Sequence, residues 1–189
     1  MYKFILASKS PRRKELLQNI GYEFDVVESD FDESAVSKEL EPQLYVQELA
    51  MFKAMSLVKK APADTLIVGA DTVVVHNGSI LGKPADRAEA IQMLSSLSND
   101  VHHVYTGVCV VRSNDAKCVA SFERTAVYFK DVPKSEIEYY VDKYSPYDKA
   151  GAYGIQEYAG VFVSHIDGDY FNIVGLPVCR LHAIIRNEF

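Results

Sequence analysis

The sequence has no long hydrophobic run and only three cysteines among its 189 residues. No apolar stretch approaches the roughly 18 residues that a membrane-spanning helix needs, and the opening residues regain charge after four apolar ones, so neither a membrane span nor a signal peptide is expected. Cys109, Cys118 and Cys179 are an odd number without the spacing of a metal site. Two of them lie in apolar stretches, which favours reduced core thiols in a cytoplasmic protein.

Several motifs of well-known enzymes are also missing. The sequence contains no phosphate-binding P-loop, no dinucleotide-binding glycine motif, no zinc-protease motif and no lipase-type serine motif. The five histidines are not spaced as a metal-ligand set. With 20 Lys+Arg against 26 Asp+Glu, the net charge of −6 argues against a general nucleic-acid coat but leaves room for a local basic pocket.

Alternating strand and helix patterns predict an α/β protein with a mixed sheet, since both hairpins and crossover helices are expected. The predicted strands are residues 3–7, 23–27, 65–75, 79–81, 102–112, 117–130, 161–166 and 170–174. The predicted helices are residues 12–20, 41–59, 85–97, 134–143 and a last one from about 176 to 187. We expect the third strand to be interrupted at residues 69–72 and residues 161–174 to form a hairpin. No repeat or linker divides the chain, which predicts one domain over residues 1–189.

The loop after the first strand carries three consecutive cations, Arg12, Arg13 and Lys14. The preceding Ser10 and Pro11 are typical of a helix N-terminus, where free N–H groups bind anions. Because the helix dipole disfavours cations in a first turn, this pattern indicates a phosphate site. A solvated basic patch is the alternative interpretation.

Asp71 lies between two apolar strand segments, where an unpaired carboxylate would be costly to bury. It must meet a cation, a metal ion or hydrogen-bond donors, or lie at a strand end that faces a cleft. Strand-end acids beside small residues often hold Mg²⁺, which takes one or two carboxylates and keeps several waters. An aspartate that caps a turn explains the pattern equally well.

Four further residues carry weaker signals. Glu33 lies in an acidic loop typical of solvated surface, and Lys53 interrupts the apolar side of a helix, where most lysines extend to water. Lys83 lies in a tight loop after a hairpin, and Gln156 ends a glycine-bearing loop with an amide that can contact a base edge. A basic pocket with a few acids and lysines fits metal-assisted phosphate chemistry.

Five stretches resemble the Maf family of nucleoside triphosphate pyrophosphatases, in the family's order and spacing: residues 6–17 (LASKSPRRKELL), 69–72 (GADT), 82–84 (GKP), 148–156 (DKAGAYGIQ) and 174–177 (VGLP). The resemblance implies a fold like that of inosine triphosphate pyrophosphatases, with an elongated mixed sheet, flanking helices and two lobes around a central cleft. It also implies cleavage between the α- and β-phosphates to give a monophosphate and pyrophosphate, with a divalent metal ion, Mg²⁺ or Mn²⁺, as cofactor.

The same resemblance implies roles for individual residues. The family's proton acceptor corresponds to Asp71, and the acidic residues that would hold the metal ion are Asp71 and Glu33. The phosphate-binding positions correspond to Ser8, Arg13, Lys53 and Lys83. For Lys53 and Lys83 this role is owed to the resemblance alone.

Three positions separate the branches of the family. This chain has Arg12, Thr72 and Gln156 there, as in the branch that resembles dTTP and UTP pyrophosphatases, whereas the branch acting on 7-methyl-GTP carries other residues. Glu157 departs from the family, which more often has glycine after the glutamine, and a bulkier acidic neighbour would alter the base pocket.

Two other hypotheses compete with an enzyme. A nucleotide-binding regulator of septum formation and cell division would bind a triphosphate with little turnover, but it would have no need of a general base such as Asp71. Nucleic-acid binding through residues 12–14 is opposed by the net charge and by the lack of an aromatic stacking platform. We therefore expect a cytoplasmic enzyme whose partner is a nucleoside triphosphate, without nucleic acid or membrane; whether it forms a homodimer is left open.

Overall fold

The computed structural model describes residues 2–189 and shows, over that range, a seven-stranded sheet and six α-helices. The strands are β1 (Lys3–Leu6), β2 (Asp25–Val26), β3 (Thr65–His76), β4 (Ser79–Leu81), β5 (Val101–Arg112), β6 (Cys118–Phe129) and β7 (Val163–Asp167). The helices are α1 (Pro11–Asn19), α2 (Pro42–Met55), α3 (Arg87–Leu97), α4 (Lys134–Tyr144), α5 (Tyr170–Val174) and α6 (Val178–Glu188). Short 3₁₀ helices cover Glu33–Ala35, Ala150–Ala152 and Tyr158–Phe162.

The sheet is mixed, which confirms the predicted α/β class. Hydrogen-bonded neighbours follow the order β2-β1-β3-β5-β6-β7, and β4 pairs with β3. Strand β1 is parallel to both β2 and β3, whereas β4 is antiparallel to β3 and β7 is antiparallel to β6. Asn77 and Gly78, a sequence pair typical of a two-residue hairpin turn, join β3 to β4, and both residues have the positive φ that such a turn requires.

The chain divides into two compact units. Unit 1 contains Met1–Thr72, Thr106–Glu123 and Gly175–Phe189, and unit 2 contains Val73–Tyr105 and Arg124–Val174. The boundary falls within β3, β5 and β6, so each of these strands contributes residues to both units.

In unit 1, helix α2 packs directly on the backbone of two strands. A Cβ atom at Gly69 of β3 would lie 2.1 Å from the carbonyl oxygen of Ala50, and one at Gly107 of β5 would lie 2.0 Å from that of Val46. Only glycine permits so close an approach. Around this contact lies an aliphatic core that includes Ile5, Ala7, Ala50, Ala54, Leu57, Ile67, Cys109 and Val111.

Strand β3 is not interrupted at residues 69–72, so that prediction was wrong. It runs without a break from Thr65 to His76. Gly69 marks the close approach of α2 and does not break the strand. As a result Asp71 lies inside a strand and is held by its regular geometry.

Unit 2 has a core rich in aromatic side chains. Phe129, Tyr140, Tyr153 and Phe162 are buried there together with Leu94 of α3. His102 belongs to the same region, since its Nε2 lies 2.8 Å from the hydroxyl of Tyr153 and its ring makes an edge-on contact with Phe129.

The hairpin predicted over residues 161–174 does not form, although its first strand does. Strand β7 pairs with β6 and not with residues 170–174, which form the helix α5. Its buried Asn172 donates hydrogen bonds from Nδ2 to the carbonyl oxygen of Val104, at 3.0 Å, and to Oγ1 of Thr125, at 2.9 Å. A short apolar run does not distinguish strand from helix by periodicity, and here tertiary contacts decide.

The thiols differ in their surroundings. Cys109 is buried, but Cys118 and Cys179 are exposed, so the prediction of core thiols was wrong for these two. Cys118 opens β6 next to a turn, and Cys179 lies in α6 with its neighbour Arg180 also exposed. Between residues 2 and 189, no helix is both long and apolar enough to span a bilayer.

Candidate active site

The N-terminus of α1 forms as its sequence predicts. Ser10 caps the helix, its Oγ accepting a hydrogen bond from the backbone N–H of Arg13 at 3.4 Å, and Pro11 occupies the first turn. The backbone N–H of Ser10 in turn donates to Oγ of Ser8 at 3.1 Å. Ser8 is buried, so the loop between β1 and α1 is tied down by its own hydroxyl groups.

The guanidinium of Arg13 is fixed by three hydrogen bonds. It donates from Nε to the carbonyl oxygen of Gly175 at 2.7 Å, from Nη2 to Oγ1 of Thr72 at 3.0 Å and from Nη1 to Oγ of Ser8 at 3.3 Å. Burial lowers the pKa of Arg13, and the charge of Asp71 opposes that shift. Arginine remains charged in proteins, so the structure holds a permanent cation in one orientation.

Two residues that support Arg13, Gly175 by a direct hydrogen bond and Thr106 through Thr72, were not singled out in the sequence. Thr106 of β5 has its Oγ1 2.9 Å from Oγ1 of Thr72. Gly175 has a φ of +120°, and a Cβ there would lie 3.4 Å from Oγ1 of Thr72. Gly175 lies within one of the five family stretches, so a signal for it was present, but nothing in the local sequence marks Thr106.

Lys53 and Asp71 form a close ion pair that Glu33 joins. The Nζ atom of Lys53 lies 2.5 Å from Oδ1 of Asp71 and 2.7 Å from Oε1 of Glu33. The side chains of Lys53 and Asp71 are only 12% and 13% exposed, whereas that of Glu33 is 58% exposed. The burial of Asp71 is therefore offset by a cation, and Lys53 does not extend to water.

The packing of α2 explains why these two residues meet. Lys53 is on α2, close in sequence to Ala50, whose carbonyl oxygen lies against Gly69, and Asp71 follows Gly69 by two residues on β3. Because strand residues two apart share a face, the side that receives the helix at Gly69 also carries Asp71.

Charges concentrate around this ion pair. Burial raises the pKa of Tyr45, and the charges of Asp71 and Glu33 raise it further. This tyrosine of α2 therefore lies within electrostatic reach of both acids. Arg12 occupies the first turn of α1 half-buried, and its charge contributes to the lowered pKa of Arg13. Sequence patterns did not single out Tyr45.

The carboxylates of Asp71 and Glu33 can serve a divalent cation. Both have an oxygen within 2.7 Å of the same Nζ atom, so their oxygens already converge on a positive charge. In the part of the chain from Tyr2 onward, no group of three or more His, Cys, Asp or Glu side chains could hold a metal ion. Two carboxylates suit Mg²⁺ at a nucleotide site, since it takes one or two of them and the substrate's phosphates.

The remaining predicted residues, Lys83 and Gln156, are exposed and belong to unit 2. The backbone N–H of Gly151 donates to the carbonyl oxygen of Gly82 at 3.0 Å, which brings the loop that carries Lys83 to the loop that leads to Gln156. Unit 1 contains all the others, and its described contacts join Ser8, Arg13 and Thr72 in one network and Glu33, Lys53 and Asp71 in another.

Next to Gln156, the side chain of Glu157 is tied back into unit 2. Its Oε1 lies 3.2 Å from Nζ of the buried Lys149, and its Oε2 accepts a hydrogen bond from the hydroxyl of Tyr140 at 3.4 Å. The hydroxyl of Tyr140 also accepts from the backbone N–H of Gly154 at 3.3 Å. The departure from the family pattern at this position therefore adds an ion pair beside Gln156.

The chain resembles proteins of known family along almost its whole length. Residues 3–188 match the family described as Maf-like protein. A relative from Thermoanaerobacter sp. (strain X514), named dTTP/UTP pyrophosphatase, is 49% identical over 187 residues, covering 99% of this chain and 97% of the relative. Another of the same name, from Alkaliphilus oremlandii (strain OhILAs), is 48% identical over 189 residues, covering 100% of this chain and 97% of the relative.

A solved structure shows a more distant likeness. The Nucleoside-triphosphatase / dITP/XTP pyrophosphatase from Mycobacterium abscessus ATCC 19977 / DSM 44196 is 16% identical, with a TM-score of 0.43 over 69% of this chain and 76% of that one.

Proposed function

The chain belongs to the Maf family, and on this premise we propose that it is a nucleoside triphosphate pyrophosphatase that hydrolyses dTTP and UTP. The proposal rests on one observation: the ammonium group of Lys53 lies between the carboxylates of Asp71 and Glu33. The charges of both carboxylates also act on the fixed guanidinium of Arg13. The names of relatives at 48% and 49% identity support the choice of substrates.

In this proposal the phosphates of the substrate are bound by cations and by the start of α1. Three of the five N–H donors of Arg13 are used in holding the side chain in place, and the others can donate to a phosphate oxygen. Ser8 and Lys53 complete the phosphate site within unit 1. The same role for Lys83 rests on the family motif.

Asp71 is the proposed proton acceptor. It has two carboxylate oxygens, so one can remain with Lys53 while the other takes a proton from the water that attacks phosphorus. When a triphosphate binds, its negative charge competes for the ammonium group of Lys53, which weakens the ion pair and makes the other oxygen of Asp71 a stronger base. A divalent cation held by Asp71 and Glu33 would supply neutralisation of the triphosphate charge.

Selection of the base is proposed for Arg12, Thr72 and Gln156. The pairing edge of thymine or uracil presents acceptor, donor and acceptor in turn; the amide of Gln156 can match two of these, and Arg12 can donate to a carbonyl oxygen. The hydroxyl of Thr72 already contacts Arg13 and Thr106, which holds it beside Asp71. Cytosine has an amine in place of one acceptor and would leave a donor facing a donor.

The reaction is tested by incubating the protein with dTTP and Mg²⁺ in ¹⁸O-labelled water. We expect dTMP and pyrophosphate, with the label in dTMP if water attacks the α-phosphorus, and loss of activity in excess chelator. Release of inorganic phosphate from the γ-position would contradict the proposed reaction. Tight binding of dTTP without turnover would support the nucleotide-binding regulator, which the names of the relatives do not favour.

Base selection is tested separately, by comparing kcat/KM for dTTP, UTP, CTP, dGTP and 7-methyl-GTP. We expect kcat/KM to be highest for dTTP and UTP, and we expect Gln156→Ala to reduce the ratio of these values to those for the other triphosphates. Gln92→Ala is a matched control, because Gln92 is an exposed glutamine on α3 of the same unit. An unchanged ranking in Gln156→Ala would remove Gln156 from base selection, and a purine preference in the unaltered protein would exclude the dTTP and UTP branch.

A further inference from the structure

Two cysteines of unit 1 lie side by side on strands joined by a hairpin. The Sγ atoms of Cys109 on β5 and Cys118 on β6 are 3.2 Å apart. A disulfide bond is about 2.05 Å long, so the two sulfurs need to approach by only about 1 Å to be joined.

The hairpin end next to these cysteines is held firmly. The backbone N–H of Arg112 donates to the carbonyl oxygen of Lys117 at 2.9 Å. The guanidinium of Arg112 also donates twice to the carboxylate of Asp115 in the connecting turn, at 2.9 Å from Nε and 2.6 Å from Nη2. Two parallel bonds of this kind give a fixed geometry, so the two strands keep the sulfurs in proximity.

The two thiols have opposite surroundings. Cys109 has no exposed surface and packs among the aliphatic side chains of the unit 1 core. Cys118 is exposed. The hydrogen bond from Cys109 lowers the pKa of Cys118 to about 7, and the same hydrogen bond together with burial raises the pKa of Cys109. Reactive cysteines are accessible and have a lowered pKa, which describes Cys118 and not Cys109.

We propose that Cys109 and Cys118 form a redox-modification site, at which a low-molecular-weight disulfide converts the two thiols into an intramolecular disulfide. The thiolate of Cys118 attacks one sulfur of the small disulfide, whose S–S bond breaks and releases one small thiol. Cys109 then loses its proton and attacks Sγ of Cys118, which releases the second small thiol. Two protein thiols are oxidised and one small disulfide is reduced to two thiols.

The site lies on a strand that also reaches the candidate active site. Thr106, whose hydroxyl contacts Thr72, precedes Cys109 by three residues on β5. The bond would join β5 covalently to β6 inside unit 1. The proposal stands on the positions and exposure of the two sulfurs and does not depend on the proposed reaction with dTTP.

The test uses the full chain with Cys179→Ser, because Cys179 is the other exposed thiol. The folded protein is treated with oxidised glutathione, and its intact mass and free thiols are measured before and after addition of dithiothreitol. We expect a mass loss of about 2 Da for two hydrogens, no retained glutathione, loss of both free thiols, and full reversal by the reductant. A stable adduct of about 305 Da, or two thiols that stay free, would overturn the proposal.

Single variants on the same background separate the two roles. With Cys109→Ala no resolving thiol is present, so Cys118 should retain one glutathione; Cys118→Ser should leave Cys109 unmodified until the protein is unfolded in denaturant. Cys109→Ala keeps a small apolar side chain in the core, and the Cys118→Ser variant changes an exposed position, so at least this second variant reports on a folded protein. Rapid modification of Cys109 in folded Cys118→Ser would contradict the assigned order of attack.

Discussion

Each unit contains a buried lysine in contact with two carboxylates, and the two clusters differ in how far those carboxylates are exposed to water. In unit 1, Lys53 contacts Asp71, which is 13% exposed, and Glu33, which is 58% exposed. In unit 2, Lys149 contacts two acids that water reaches, Asp148 at 64% and Glu157 at 36% exposure. The side chains of the two lysines are similarly buried, with exposed fractions of 12% for Lys53 and 8% for Lys149.

The difference indicates what each cluster can do. A carboxylate with little access to water depends on its cation, because removal of a buried partner leaves an uncompensated charge. Asp71 is in that position, so a substrate that draws Lys53 away changes the chemistry of Asp71. Asp148 and Glu157 keep their hydration, so their contacts with Lys149 hold a loop in place and add little electrostatic energy.

The largest expected effect comes from removing the acids in turn. Asp71→Asn should lower kcat for dTTP by about 10²–10⁴-fold, as expected for the loss of a general base, while circular dichroism and nucleotide binding stay close to those of the unaltered protein. Asp148→Asn, the matched change in unit 2, should leave kcat within a few-fold. Similar losses in both variants would show that the buried acid of unit 1 has no special role.

Replacing the two lysines sharpens the same comparison. Lys53→Met should lower kcat/KM by roughly 10–150-fold for every triphosphate alike, since a charge-assisted bond to phosphate of about 1.5–3 kcal/mol is lost and phosphates carry no base identity. Lys149→Met should leave kcat/KM within a few-fold and lower the free energy of unfolding by about 1 kcal/mol, because its partner acids remain hydrated. Lys53→Met should be the more destabilising of the two, because it leaves the buried Asp71 without its cation. Steady-state kinetics on several substrates and urea unfolding measure the two effects, and a change in base preference alone in Lys53→Met would place Lys53 away from the phosphates.

At acid pH we expect a loss of stability that comes from one buried histidine of unit 2. Burial and the nearby charge of His76 lower the pKa of His102 from 6.5 to about 3. Below pH 6.5 the unfolded chain takes up a proton that the folded chain does not, so stability falls with pH, by roughly 2 kcal/mol at about pH 5 from this residue. Between about pH 6.5 and pH 5, urea unfolding should show a smaller loss in the free energy of unfolding for His102→Gln than for the unaltered protein. His165→Gln, at an exposed histidine of the same unit, should leave that loss unchanged. Identical pH slopes in all three proteins would mean that His102 is protonated in the fold.

The smallest effect is expected from two buried threonines. Thr106→Val removes the hydroxyl next to Thr72 and should reduce kcat/KM about 5-fold, the equivalent of roughly 1 kcal/mol for one hydrogen bond. Thr125→Val is the counterpart in unit 2, where Oγ1 donates to the carbonyl oxygen of Asp169. That change should lower thermal stability without a selective loss of activity. A kinetic defect in Thr125→Val that is absent from Thr106→Val would contradict the role given to Thr106 beside the active site.

Where local chemistry decides the structure, the elements were predictable. Ser10 and Pro11 predict the start of α1, and Asn77 and Gly78 predict the turn between β3 and β4, because capping and turn formation involve residues close in the chain. Residues 170–174 were not predictable in this way, since the side chain of Asn172 finds its partners 68 and 47 residues away.

The sequence by itself determined the α/β class, the capped basic start of α1 and the set of candidate residues, since these follow from periodicity, local turn chemistry and recognisable motifs. Only the tertiary structure decided how the candidates combine. Lys53 meets Asp71 across 18 residues, and Arg13 meets Gly175 across 162. Lys53 reaches Asp71 because α2 packs on Gly69 and Gly107, where the lack of a side chain lets helix and strand touch. No local sequence pattern specifies which distant residue will be the partner in either pair.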